Sequence, residues 1–421
     1  MARPITLAVL GLGAIAPGGS PAIAQQAGLA EWTVESRLTV AAAAIDEDTL
    51  QAPAGEILMA DGAIVVSRED VLDNGVILTW RGEARVQRDA YDRPAFAGAF
   101  GTCAASLAVC PRVADGAGFR SPVSAVTGLA AGGSPEDEDW VGAIEGASLS
   151  VSGGWGEGVF GLDAGVAARL DARPPRVLEQ VSAASASLDP TGLAVTRARN
   201  DVTGPSAKVS YMSPRLLGLR AGASWTPEVN QRSVDYDPTF DGPGHGSDLA
   251  APELENVWEG ALSFARQFPQ AGVRIRAAVT ATLASSGSRF TEFGDYEAYG
   301  AGLEVEKGGW TGGVRWLGSD NAWKGGASRP GGAGYEAWEA GLVHQGDTWR
   351  FGIEGGWSRD KLTGVEGATW LAGASRKLND SLTAGIGWMQ GAADLPIPAG
   401  LGLGHINARN DGLIFELTVR N

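Results

Sequence analysis

The sequence predicts an all-β protein, a transmembrane antiparallel β-barrel of sixteen strands. Three observations predict it: an apolar/polar alternation of period two after residue 30, links that alternate between short and long, and tryptophans near the ends of the alternating stretches. Composition narrows the field. Of 421 residues, 62 are glycine, about twice the ordinary share. Only 19% are charged and 44% are hydrophobic, which argues against long disorder. The 33 Lys+Arg against 49 Asp+Glu leave −16, the wrong sign for a nucleic-acid partner.

The chain opens with a secretory signal peptide over residues 1–24. Arg3 supplies the basic start, Ile5 to Ala16 the apolar core, and Ala22-Ile23-Ala24 the small-residue cleavage site. Pro17, Gly18, Gly19 and Pro21 stop the apolar run well short of the roughly 20 residues that a membrane helix needs. Residues 25–421 then form the barrel. Cys103 and Cys110 lie in a Gly/Ala-rich loop, and in an oxidising compartment they are expected to form a local disulfide.

The strands follow in order near 32–41, 56–66, 74–88, 140–149, 153–162, 206–214, 216–226, 254–266, 271–284, 296–306, 310–318, 335–344, 349–358, 368–377, 382–390 and 411–420. In 74–87, Val76, Leu78, Trp80, Ala84 and Val86 share one face, with Thr79, Arg81, Glu83, Arg85 and Gln87 on the other. From Gly272 to Thr282, Val273, Ile275, Ala277, Val279 and Ala281 oppose Arg274, Arg276, Ala278, Thr280 and Thr282. Phe351, Ile353 and Trp357 likewise oppose Arg350, Glu354 and Ser358.

Tight links at Lys307-Gly308-Gly309, His344 to Thr348 and Leu378 to Ser381 are interleaved with longer ones near 318–334, 358–367 and 390–410. Short periplasmic turns and long external loops produce this parity in a membrane barrel. A soluble exported β-protein that binds glycans or partners would bury the same alternating face, and a closed barrel with a lipid-directed enzymatic role would share the strands. Trp32, Trp225, Trp258, Trp310, Trp316, Trp338, Trp349, Trp357 and Trp388 lie near strand ends, where interface girdles need them and a sandwich core does not.

Three segments carry a family resemblance. They are Asp73-Asn74-Gly75 before an alternating strand, Lys208 to Pro214 running into Leu217 to Trp225, and the last strand, Asn410 to Asn421. With the leader, strand count and loop parity, the chain resembles the Gram-negative general porins, in particular those of alphaproteobacteria. The resemblance implies an outer-membrane channel, commonly a homotrimer in contact with membrane lipid, passing small polar solutes and ions by diffusion. One departure is the final residue: the family commonly ends in an aromatic, and here Asn421 follows the outward Leu413, Phe415, Leu417 and Val419.

The resemblance also implies that the long third external loop, Asp163 to Pro205, folds into the lumen and faces a basic wall. Pro174-Pro175 is expected to open a short helix with Val177, Val181, Ala184 and Leu188 as its apolar stripe. The loop offers Asp163, Asp171 and Glu179 as acids and Arg169, Arg173 and Arg176 as bases. On the wall, alternation places Arg37, Arg81, Arg85, Lys208, Arg220, Arg274, Arg276, Arg315 and Arg350 on the polar face, because charge is costly in lipid. Fixed arginines beside loop acids would set a transverse field across the pore.

No enzyme is expected. The chain lacks a G-x-S-x-G elbow, a Walker A loop and an H-E-x-x-H pair. His245, His344 and His405 are scattered, and no cofactor or metal is implied. The acidic runs Pro135 to Asp139 and Asp235 to Glu255 have no EF-hand spacing and read as solvated loops.

Overall fold

A computed structural model describes residues 31–47, 55–88, 113–115, 118–128, 140–185, 188–231, 249–324, 333–396 and 405–421. The predicted leader, Cys103, Cys110 and the acidic run 135–139 lie outside the described residues, as does most of the second acidic run. The strands, in chain order, are β1 (Trp32–Glu47), β2 (Gly55–Val71), β3 (Ile77–Arg88), β4 (Val113–Asp115), β5 (Gly118–Pro122), β6 (Trp140–Gly153) and β7 (Gly156–Leu162). Next come β8 (Ala207–Met212), β9 (Leu219–Glu228), β10 (Leu249–Ala250), β11 (Leu254–Phe268), β12 (Val273–Ser286) and β13 (Tyr296–Lys307). The series ends with β14 (Trp310–Ser319), β15 (Tyr335–Gln345), β16 (Trp349–Asp360), β17 (Val365–Lys377), β18 (Leu382–Pro396) and β19 (His405–Arg420).

Sixteen of these strands close into one barrel, and each of the sixteen sequence-predicted stretches falls on one of them. Each barrel strand pairs antiparallel with its neighbours along the chain, and β1 closes the circle on β19, from Arg37 opposite Arg420 to Glu47 opposite Asn410. Closure gives every strand a partner on both sides, which a membrane demands because lipid satisfies no backbone group. The remaining three, β4, β5 and β10, form a small separate sheet from two of the external links, with β5 and β10 parallel. Sequence periodicity did not anticipate them, since strands of two to five residues carry too little pattern.

The alternation holds residue by residue. Val279, Ile353 and Phe415 stand 55%, 50% and 52% exposed on the outer face, whereas their neighbours Thr280, Glu354 and Glu416 are buried on the inner one. The short turns also follow local chemistry. In Asp73-Asn74-Gly75, Asn74 Oδ1 accepts the Val76 N–H at 3.1 Å, and Gly75 adopts φ 77°. At the other end of the chain, Asn421 N–H donates to the Ser36 carbonyl, so the non-aromatic terminus still joins the closing seam.

Two differences from the sequence reading concern the external side. Strands β1, β18 and β19 run about half a dozen residues farther than alternation showed, to Glu47, Pro396 and back to His405. Pairs such as Asp46–Asp411 and Asp394–Asn407 continue the ladder with polar residues, so pairing outlasts the hydropathy signal that lipid contact imposes. The expected long loop at 358–367 shrinks to residues 361–364, because β16 and β17 extend through most of it.

Candidate functional site

Residues 163–206 connect β7 to β8 and touch inward-facing groups over much of the barrel. Their base is held at both ends by the wall. Lys208 Nζ donates to the carbonyls of Asp163 and Gly204, drawing the two ends together. Glu259 accepts hydrogen bonds from Ser224 and Thr203, and Ser224 Oγ in turn accepts the Val166 N–H at 3.2 Å. A single helical turn, α1 (Val166–Arg169), starts at Gly165, where any Cβ would collide with the Glu259 carboxylate.

From there the segment contacts residues of β13 to β19. Asp171 meets Arg315 of β14 at 2.6 Å, and Arg315 also binds Glu339 of β15. The Ala172 carbonyl rests on Gly302 and the Pro175 carbonyl on Gly341, positions where a Cβ would overlap the passing backbone. Leu178 sits over Gly385, where a Cβ would come within 2.6 Å of it. The return path is similarly fixed: Ser358 donates to the Val195 carbonyl, and Asn200 bonds Thr280 and Thr282 of β12. Inward glycines thus make room for backbone, and this accounts for part of the glycine excess.

The helix expected after Pro174-Pro175 does not form. Two wall carboxylates take the N–H groups that a helix would have used. Glu354 of β16 accepts from Val177 at 3.1 Å and Ala183 at 2.8 Å. Glu416 of β19 accepts from Glu179, Gln180 and Val181 at 2.7, 2.9 and 2.8 Å. A charged acceptor is a stronger partner than a peptide carbonyl, so the chain stays irregular. The apolar part of the expectation survives in a different backbone: Val177, Val181 and Leu188 are buried in a cluster with Ala41, Met59, Leu371, Met389 and Ile414.

The wall charges are less free than their positions implied. Arg37 and Arg85 share Asp61 of β2 at 2.8 and 2.6 Å, and Gln87 donates to the same carboxylate. Arg81 pairs with Glu83 at 2.7 Å, Arg276 with Glu304 at 3.0 Å and Arg274 with Glu306 at 3.7 Å. Arg220 and Arg169 both bind Glu157, and Arg169 also binds Asp163. Glu179 takes Arg350 at 3.5 Å and also Arg420. Lys208 and Arg315 are only 4% exposed, so they hold the segment in place and do not face open water. Of the named charges, only Arg173 and Arg176 are exposed and without an ion pair among the described residues.

On the side of β1–β3, two adjoining cavities of about 320 and 500 Å³ separate the segment from the wall. Arg85, Glu83, Arg173, Arg199 and Asp201 line both. Arg173 is crowded by the guanidiniums of Arg199, Arg315 and Arg176. The Arg199 charge, ahead of partial desolvation of a side chain that opens only onto the cavities, lowers the Arg173 pKa to about 10. The side chains that sequence reasoning missed are Asp61, Glu157, Glu339, Glu354, Glu416, Arg197 and Arg199. Glu354 was visible on the polar face of its strand; the importance of the others rests on partners far away in sequence.

A family model described as Gram-negative porin matches residues 14–392. Among solved structures, the chain is similar to the anion-selective porin from Comamonas acidovorans, with a TM-score of 0.52, 10% identity, and coverage of 93% of this chain and 100% of that one. It is also similar to the Salmonella typhi OmpF complex with daunomycin, with a TM-score of 0.54, 11% identity, and coverage of 93% and 97%. No curated protein matches the sequence. A closed sixteen-stranded barrel with an apolar outside and a polar inside, matched by the family over most of its length, places the chain among the Gram-negative porins, the outer-membrane channels for passive diffusion.

Proposed function

We propose that residues 163–206 fold into the lumen as a fixed constriction, and that solutes pass between this segment and β1–β3. The observation that carries the reading is the distribution of contacts. The segment is bonded to inward groups from β7 through β19, while the two cavities adjoin Arg37, Arg81, Glu83 and Arg85. Small hydrophilic solutes and ions are the cargo, and the arginines facing the cavities set its charge preference. No residue is assigned a catalytic role.

Assembly as a homotrimer in outer-membrane lipid belongs to the same proposal. Support comes from the outward faces of β1 and β2, where Ala42, Ala44, Ala60 and Gly62 lie beside the exposed Leu38 and Leu58 and offer apolar surface to a second copy. Purified protein should migrate as a heat-sensitive oligomer and open stepwise conductances in planar bilayers. A barrel that inserts but carries no current would overturn the constriction as an open passage.

A further inference from the structure

The 320 Å³ cavity has an unusual charge balance. Its wall includes Arg37, Arg85, Arg173, Arg176, Arg197 and Arg199. The carboxylates in reach are already engaged. Glu83, also on this wall, binds Arg81 at 2.7 Å, Asp61 serves both Arg37 and Arg85, Asp201 binds Arg199 at 2.8 Å, and Glu339 and Asp171 enclose Arg315. Arg173, Arg176 and Arg197 form no ion pair within 4 Å among the described residues, although Asp171 stands near Arg173 and Glu354 near Arg176, and both of these carboxylates are bound elsewhere. One Arg197 nitrogen donates to the carbonyls of Ala194 and Thr196. Arg173 and Arg176 keep exposed guanidinium groups on this wall, so the cavity offers forked N–H donors to a ligand rich in acceptor oxygens.

We infer that this cavity is a saturable subsite for small divalent oxyanions, such as sulfate, hydrogen phosphate or a short dicarboxylate. Three features select that chemistry. Guanidinium presents parallel N–H donors that match two oxygens of one anion. The surplus of positive charge exceeds what one chloride neutralises. The cavity is also too polar to favour an apolar solute. The crowding that lowers the Arg173 pKa to about 10 leaves it charged at neutral pH, and a bound dianion would relieve it. This inference rests on the channel reading above and adds a bound state to it.

The test uses the full-length protein in planar bilayers, with the current carried by about 0.1 M KCl and ionic strength held constant. Sodium sulfate or succinate added at millimolar levels should reduce the chloride current with saturation. Phosphate should block more strongly at pH 8 than at pH 6, as it becomes a dianion, while the sulfate block stays constant. Arg173→Gln with Arg197→Gln should raise the half-blocking sulfate concentration about tenfold. The conservative Arg173→Lys, which keeps the charge but loses the fork, should raise it severalfold. A wild-type current that does not respond to sulfate, or a block that both variants retain, would overturn the inference while leaving the channel intact. A wild type with no chloride current would instead remove the channel reading beneath it.

Discussion

The barrel's two walls use charge in opposite ways. Along β1–β3 the inward charges are mainly arginines, Arg37, Arg81 and Arg85, with Asp61 and Glu83 beside them, and they border open cavities. Along β15, β16 and β19 the buried inward charges are carboxylates, Glu339, Glu354 and Glu416, packed against the segment 163–206, while the partly exposed Arg350 and Arg420 bind the segment's own Glu179. The family resemblance implies a basic wall facing an acidic loop, and Asp171 and Glu179 of the segment bind the wall arginines Arg315 and Arg350. Asp163 and Asp201 pair within the segment, with Arg169 and Arg199, and Asp189 accepts from Thr191 and Ala194, while Arg173 and Arg176 border the cavity. Carboxylates can accept several N–H groups from an irregular backbone, so they suit anchoring. Arginines can neutralise a passing anion and remain charged at any working pH, so they suit the passage.

The largest break in this contrast should come from removing the anchors. Glu354→Ala together with Glu416→Ala leaves five loop N–H groups without their acceptors, each costing about 1–3 kcal/mol where water does not replace it. The segment should release from the wall, raising single-channel conductance severalfold and opening 163–206 to protease in folded barrels. The Gln variants, which keep an acceptor oxygen, should lie between. Unchanged conductance and protection would show that the glycine-lined contacts alone hold the segment.

The opposite wall can be probed in both directions. Arg81→Ala with Arg85→Ala removes two cations and frees Glu83 and part of Asp61, so the reversal potential in a salt gradient should move toward cation preference. Asp61→Asn leaves Arg37 and Arg85 without their shared partner and should move it the other way. Both shifts should fade as the Debye length falls from about 10 Å at 0.1 M to about 3 Å at 1 M salt. If the two variants shift the potential in the same direction, the β1–β3 wall does not border the passage.

The smallest effect belongs to a charge on neither wall. Asp380, in the turn between β17 and β18, is exposed and pairs with Lys377 at 2.8 Å, which lowers its pKa. A carboxylate with a depressed folded pKa adds stability above its unfolded value and loses it as pH falls through the folded one. Solvent screens this pair, so Asp380→Asn should leave the temperature of heat modification unchanged at pH 7 and at pH 3. A clear change would mean that turn charges matter to closure as much as inward ones.

The sequence by itself determined the barrel. Period-two alternation sets which face of each strand meets lipid, as Val279, Ile353 and Phe415 show, and links of opposite length set the parity of its two ends. Those signals are local, so they survive without knowledge of partners. Tertiary structure alone decided the interior. Whether Arg85 is free or bound depends on Asp61, 24 residues away, and whether 176–188 is helical depends on Glu416, more than 200 residues beyond it. Closure of the sheet brings these groups together, and their hydrogen bonds outweigh the segment's own helical preference. No pattern within the segment can reveal an acceptor supplied by the far side of the barrel.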